Sequence, residues 1–141
     1  FRGEAAETLL PPTRSLVQTK RRLAELPGGG GTPLASGLSC GLETAMTAFR
    51  KGLSPVLIVL TDGRSNIALD GTANRAQAAQ DALNVATQIA QSGIDSIVID
   101  TGRRPEAALQ KLAATLRGRY VSLPRADAQK LSQTVSAALA T

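Results

Sequence analysis

Between Pro55 and Leu60 the chain runs through six residues with no charge and no apolar–polar alternation, then breaks off at Thr61-Asp62-Gly63. Such a run suits a strand buried on both faces of a parallel sheet better than a half-exposed one. Asp62 falls just past the strand's carboxyl end. That is the edge at which open α/β sheets take ligands, and Gly63 permits a tight turn there. An Asp after a strand serves equally as a turn former or helix cap, so the rest of the chain has to decide.

Composition removes several classes of chemistry. The chain has no histidine and a single cysteine, Cys40, which excludes His-based acid/base catalysis, the common zinc sites and an internal disulfide. At 141 residues and 43% hydrophobic content it suits one domain, 1–141, with a real core. No stretch approaches the roughly 18 apolar residues of a membrane span. It begins Phe1-Arg2-Gly3, without an initiator Met or a charged-then-apolar leader, and is expected to be part of a longer protein. The net charge is +5, with basic groups at Lys20-Arg21-Arg22, Arg103-Arg104 and Arg117/Arg119. These are scattered, and aromatics are only 2%, so nucleic-acid binding is not expected and solvated helix faces account for the charge.

Element by element, Glu7 to Leu10 is a short candidate edge strand closed by Pro11-Pro12. Ser15 is placed to cap a helix over 16–26, which Pro27 stops. Gly28 to Thr32 is a loop, and a helix follows from about Pro33 to Lys51. In that helix Leu34, Leu38, Leu42, Ala45 and Phe49 share a face, and Gly37 and Gly41 allow close packing against a sheet. Cys40 lies off this stripe, as a small hydrophobe. After the central strand, 64–75 is a long polar loop. Ala76 to Gln91 is an alanine-rich helix expected to turn Ala79, Leu83, Ala86 and Ala90 inward, ended by Gly93. Then come a strand over 94–100, a helix over 105–116, a strand over 120–123, and a helix over 127–140 that Asp127 could cap. This alternation predicts an α/β fold with a doubly wound, mostly parallel sheet and helices on both faces.

Three loops would meet at one crest of that sheet: the glycine loop with Thr32, the turn Asp62-Gly63-Arg64, and the turn Asp100-Thr101-Gly102. A nucleotide phosphate loop would need Gly, four residues, then Gly-Lys-Ser/Thr, and Thr32 follows Gly31 with no lysine. A hydroxyl and a carboxylate with no nitrogen ligand instead suit a hard cation such as magnesium. Two groups do not hold such an ion tightly, so further ligands are expected from elsewhere. No base and nucleophile meet at the crest, and no catalytic residue is assigned.

Gly30-Gly31-Thr32-Pro33-Leu34, followed by a buried strand ending in Thr61-Asp62-Gly63, resembles the von Willebrand A, or integrin I, domain with its metal-ion-dependent adhesion site. Thr32 and Asp62 match the second and third loops of that site. The D-x-S-x-S motif of its first loop does not occur in these residues. The resemblance therefore implies a partial domain that lacks the amino-terminal central strand. Gly28 to Ala35 together with Leu60-Thr61-Asp62-Gly63-Arg64-Ser65-Asn66-Ile67-Ala68-Leu69 is similar to the D-subunit family of magnesium chelatases, in its bacteriochlorophyll-pathway form, along the whole chain.

That resemblance implies a cytoplasmic docking module, non-catalytic in itself, within an ATP-dependent, hetero-oligomeric ring assembly that inserts magnesium into protoporphyrin IX. Its implied partners are an AAA+ ATPase subunit, whose modules use the ATP, and a porphyrin-binding subunit. Magnesium held by Thr32 and Asp62 would leave a position for a partner's carboxylate. Arg64, with Gly31 and Gly63, would border the incoming acid, though Arg64 serves equally as a solvated loop charge. Loop-shaping hydrogen bonds account for Asn66 and Asp70. The competing reading is a generic von Willebrand A-type adhesion domain, disfavoured by the lack of paired cysteines and N-x-S/T sequons.

Overall fold

A computed structural model of the chain describes residues 1, 5–8, 13, 15, 17, 18, 21, 22, 31–62, 66, 68–125 and 127–140. The elements run α1 (Leu34–Arg50), β1 (Val56–Thr61), α2 (Arg75–Gln91), β2 (Asp95–Asp100), α3 (Ala107–Leu116), β3 (Arg119–Ser122) and α4 (Ala128–Leu139). The three strands form one parallel sheet in the order β1-β2-β3. Because that order follows the chain, right-handed crossovers place α2 and α3 on the same face.

Register then sorts the side chains. Ile58 pairs with Ile97 and Val59 with Val98, while Val98 pairs with Tyr120. Leu57, Val59, Val98 and Tyr120 therefore share the face on which α1, α2 and α3 lie side by side, and they join Leu38, Val85, Ile89, Leu109, Leu112 and Leu116 in one core. The opposite face carries Val56, Ile58 and Leu60 with Ile97. Here α4 approaches, since Arg119, on this face, donates from Nη1 to the Ala138 carbonyl at 3.0 Å. Helices thus flank both faces, as the alternation predicts.

Several expectations need correction. Val56, Ile58 and Leu60 are 37%, 40% and 45% exposed, so β1 is not buried on both faces. The physical reason is its position: among the described residues β1 is an edge strand, and the three-helix layer covers only the Leu57/Val59 side. In α2 the inward residues are Ala78, Ala82, Val85, Ala86 and Ile89, whereas Ala79 is exposed and Leu83 and Ala90 are half-buried. The stripe is rotated by one residue because Val85 and Ile89 offer more apolar area than the alanines that compete with them. Phe49, at the end of the α1 stripe, is 50% exposed, since the helix runs past the sheet there. Glu7 and Thr8 lie outside any strand, although Ala5 makes an isolated bridge; residues 9 and 10 are outside the described residues.

The local signals hold. Ser15 Oγ accepts from the Gln18 amide at 3.2 Å, beside helical residues 17, 18, 21 and 22. Asp127 caps α4 by accepting from the Lys130 amide at 2.8 Å. Gly93, φ +79°, turns the chain out of α2. A Cβ at Gly41 would lie 2.7 Å from Leu57 Cδ1, so the small residue does let α1 sit close on β1. Cys40 is half-buried, with Sγ 3.3 Å from Thr8 Oγ1.

Candidate functional site

The carboxyl ends of the parallel strands form a crest, and the loops there are tied to one another. The Thr101 amide donates to the Thr61 carbonyl at 3.0 Å, and the Leu123 amide donates to the Asp100 carbonyl at 2.8 Å. A Cβ at Gly102 would lie 3.1 Å from the Asp62 carbonyl oxygen, so glycine lets the β2 loop press against the β1 turn.

Thr32, just before α1, reaches the same crest through Asn66. Its amide donates to Asn66 Oδ1 at 2.7 Å, and the Asn66 amide donates back to the Thr32 carbonyl at 3.2 Å. This reciprocal pair joins two of the three loops across 34 residues of sequence. Asn66 is thus a shaping residue, as expected, and so is Asp70, whose Oδ1 accepts from the Thr72 amide and hydroxyl at 2.9 and 2.6 Å. Those two bonds hold the Asp70 carboxyl below the ordinary carboxylate value.

Of the predicted site residues, Thr32 is half-buried and Asp62 exposed, and among the described residues neither the Thr32 hydroxyl nor the Asp62 carboxylate is engaged in a hydrogen bond. Gly31 is half-buried beside Thr32. Gly63 and Arg64 lie outside the described residues. The donors present are hard oxygens, which fits magnesium rather than a softer metal. Among the described residues no cluster of three His, Cys, Asp or Glu stands ready to hold a metal, so the remaining ligands would be water or come from beyond this set.

Two residues support the crest in ways that sequence reasoning does not find: Asp100, expected only as part of a crest turn, and Asp81. Asp100 is fully buried at the end of β2 and accepts hydrogen bonds from Tyr120 Oη (2.7 Å), the Gly102 amide (2.9 Å) and the Glu106 amide (2.9 Å). Burial pushes its carboxyl up, but the three donors together outweigh it and leave the pKa below the usual value. Asp81, buried in α2, accepts from the Leu69 amide at 2.9 Å and from Gln77 Nε2 at 2.7 Å, pinning the long loop after β1 to the helix. The signal for Asp100 was its parity with Val98, which puts it on the core face. Asp81 carries the same kind of signal, an acid on the inward stripe with a glutamine one turn before it.

A parallel sheet with helices on both faces and connecting loops gathered at its crest defines an α/β domain of the von Willebrand A kind. The chain belongs to the von Willebrand factor type A domain family, whose model matches residues 11–136. It is similar to the magnesium-chelatase 60 kDa subunit of Cereibacter sphaeroides, 58% identical over 139 residues that cover 99% of this chain and 25% of that subunit. The 60 kDa subunit of Rhodobacter capsulatus is 54% identical, again over 99% of this chain and 25% of the relative. The magnesium-chelatase 67 kDa subunit of Chlorobaculum tepidum is 46% identical over 151 residues, 99% of this chain and 24% of its own length. The chain therefore spans about a quarter of the length of these relatives. Among the described residues no helix is long and apolar enough to cross a membrane.

Proposed function

We propose that this domain is a metal-dependent docking module of a magnesium-chelatase subunit of the bacteriochlorophyll pathway, itself non-catalytic. Its assembly would be the ATP-dependent, hetero-oligomeric ring that inserts magnesium into protoporphyrin IX. The observation that carries this reading is the pair of unengaged oxygen donors, Thr32 Oγ1 and Asp62, on a crest whose loops are tied together by Asn66. Thr32 through its hydroxyl and Asp62 through its carboxylate would hold Mg²⁺, which supplies an open position for a hard, charged oxygen donor. An Asp or Glu from the ATPase subunit or the porphyrin-binding subunit is the group that suits it. Gly31, Gly63 and Arg64 would border that acid, with Arg64 able to clamp it bidentately. ATP would be used by other modules of the assembly.

The test is calorimetry of the full-length chain against each of the two partner subunits, in Mg²⁺ and in EDTA. Asp62→Ala and Thr32→Val are expected to weaken Mg²⁺-dependent binding by at least about tenfold, which is 1.4 kcal/mol. Equal affinity in wild type and both variants, with circular dichroism unchanged, would refute the docking role.

A further inference from the structure

Between α2 and α3 lies a groove of about 460 Å³ that none of the crest residues above explains. Its walls are Ala76, Ala79 and Leu83 from α2 and Ala108 and Leu112 from α3, and Leu34 of α1 closes the floor. Leu34 and Leu112 are buried, but Ala76, Ala79 and Ala108 are exposed. The groove is therefore an open apolar trough with shallow sides, wide enough for a chain of side chains rather than a single one.

The rim has a sign. Arg75 and Lys111 border the groove, and both are exposed. Among the described residues the side chain of neither is engaged in an ion pair or a hydrogen bond. The one acid on the rim among the described residues, Glu106, is already committed as the cap of α3, accepting from the Ala108 amide at 3.5 Å. Arg75 moreover sits in the first turn of α2, the positive end of the helix dipole, where a cation is disfavoured, and no acid in that turn offsets it. An isolated fold gains nothing from this placement. A carboxylate arriving from outside would satisfy both the guanidinium and the helix end.

We infer that the α2–α3 groove binds an acidic, amphipathic segment of a partner protein, its apolar side chains between Ala79 and Ala108 and its carboxylates on Arg75 and Lys111. This deepens the docking role proposed above and rests on it. Leu34 is two residues from Thr32, and Glu106 is held by the same Asp100 that shapes the crest, so groove and crest are contiguous. A partner whose acid is seated at Thr32 and Asp62 continues into the trough. The crest alone would select for any exposed carboxylate; the groove adds discrimination by shape and by a second patch of charge.

The experiment uses the full-length chain with the ATPase subunit and the porphyrin-binding subunit as probes. Ala79→Trp fills the groove from an exposed position, and the double variant Arg75→Glu/Lys111→Glu reverses the rim. Each is expected to weaken binding of one subunit by at least about tenfold in Mg²⁺. Wild-type binding should fall between about 50 and about 300 mM salt, and that dependence should shrink in the double variant. Wild-type affinity in Ala79→Trp and in the double variant overturns the groove, while loss in Asp62→Ala alone then leaves crest docking standing. Loss in both groove variants with Asp62→Ala unaffected keeps the groove and refutes the metal-dependent crest. Failure of the wild-type chain to bind either subunit refutes both. Self-association of the wild type that Ala79→Trp abolishes overturns the partner segment in favour of a second copy.

Discussion

Tyr120, on β3, donates a hydrogen bond from its hydroxyl to the carboxylate of Asp100 at the end of the neighbouring strand, 2.7 Å from Oη to Oδ2. The same carboxylate receives the amides of Gly102 and Glu106, so one buried acid anchors the whole turn between β2 and α3. Glu106 is the cap of α3 and Gly102 touches the Asp62 main chain. The pair thus fixes both the crest and the start of the groove.

Tyr120→Phe is expected to lower stability by about 1–3 kcal/mol, because a buried charged acceptor loses one of its donors. Asp100 has a lowered pKa in the fold, so its contribution is present above the unfolded value and is lost as pH falls through the folded one. Removing a donor raises that folded value, and the acid unfolding midpoint should move to higher pH. Tyr120 itself is raised, first by burial and then by the Asp100 carboxylate; its contribution is present below the unfolded tyrosine value and lost as pH rises through the folded one. The variant should lack that alkaline loss. Denaturant melts across a pH series check both limbs.

Gly118→Ala should be strongly destabilising, by about 1–3 kcal/mol, since an added Cβ collides with the Ser96 carbonyl oxygen and lies 3.0 Å from its carbon. Ser96 sits in β2, held between β1 and β3, and has no room to retreat. Gly93→Ala is the contrast: nothing lies within 4 Å, and only the positive φ opposes it, at about 1 kcal/mol. Thermal melts of the two variants should rank them in that order.

Asn66→Ala should separate site geometry from stability. It removes the acceptor of the Thr32 amide, worth about 1 kcal/mol to the fold. If Thr32 is a ligand, the larger effect falls on Mg²⁺-dependent partner affinity, measured beside the melt in the same preparation.

Asp127→Ala removes the cap of α4 and should cost about 1 kcal/mol, felt locally. No described residue of α4 is fully buried, so the helix has little packing to compensate. Hydrogen exchange should show protection lost in α4 with the amides of β2 unchanged.

Much of this architecture is legible in the chain because its signals act over short range. Ser15, Asp127 and Gly93 each satisfy backbone groups within three residues or so, and that chemistry is complete before any tertiary contact forms. The alternation of helices with Val- and Ile-rich strands likewise sets a parallel sheet, since such strands need crossovers. Thr32 and Asp62 could be singled out by residue type alone, as hydroxyl and carboxylate in loops at strand or helix ends.

What tertiary structure alone decided are the choices between near-equal local options. Ala79 and Ala82 are alike to the helix that carries them, and only the sheet and its neighbours determine that Val85 and Ile89 define the inward stripe. The β1 run is apolar on both faces, yet its exposure depends on which neighbours stand beside it, information that no property of Pro55 to Leu60 contains. Asp100 reads as a turn residue until Tyr120, 20 positions on, donates the hydrogen bond that, with two backbone amides, makes its burial tolerable. Each of these turns on a partner distant in sequence, where the free energy of burial belongs to the pair and not to either residue.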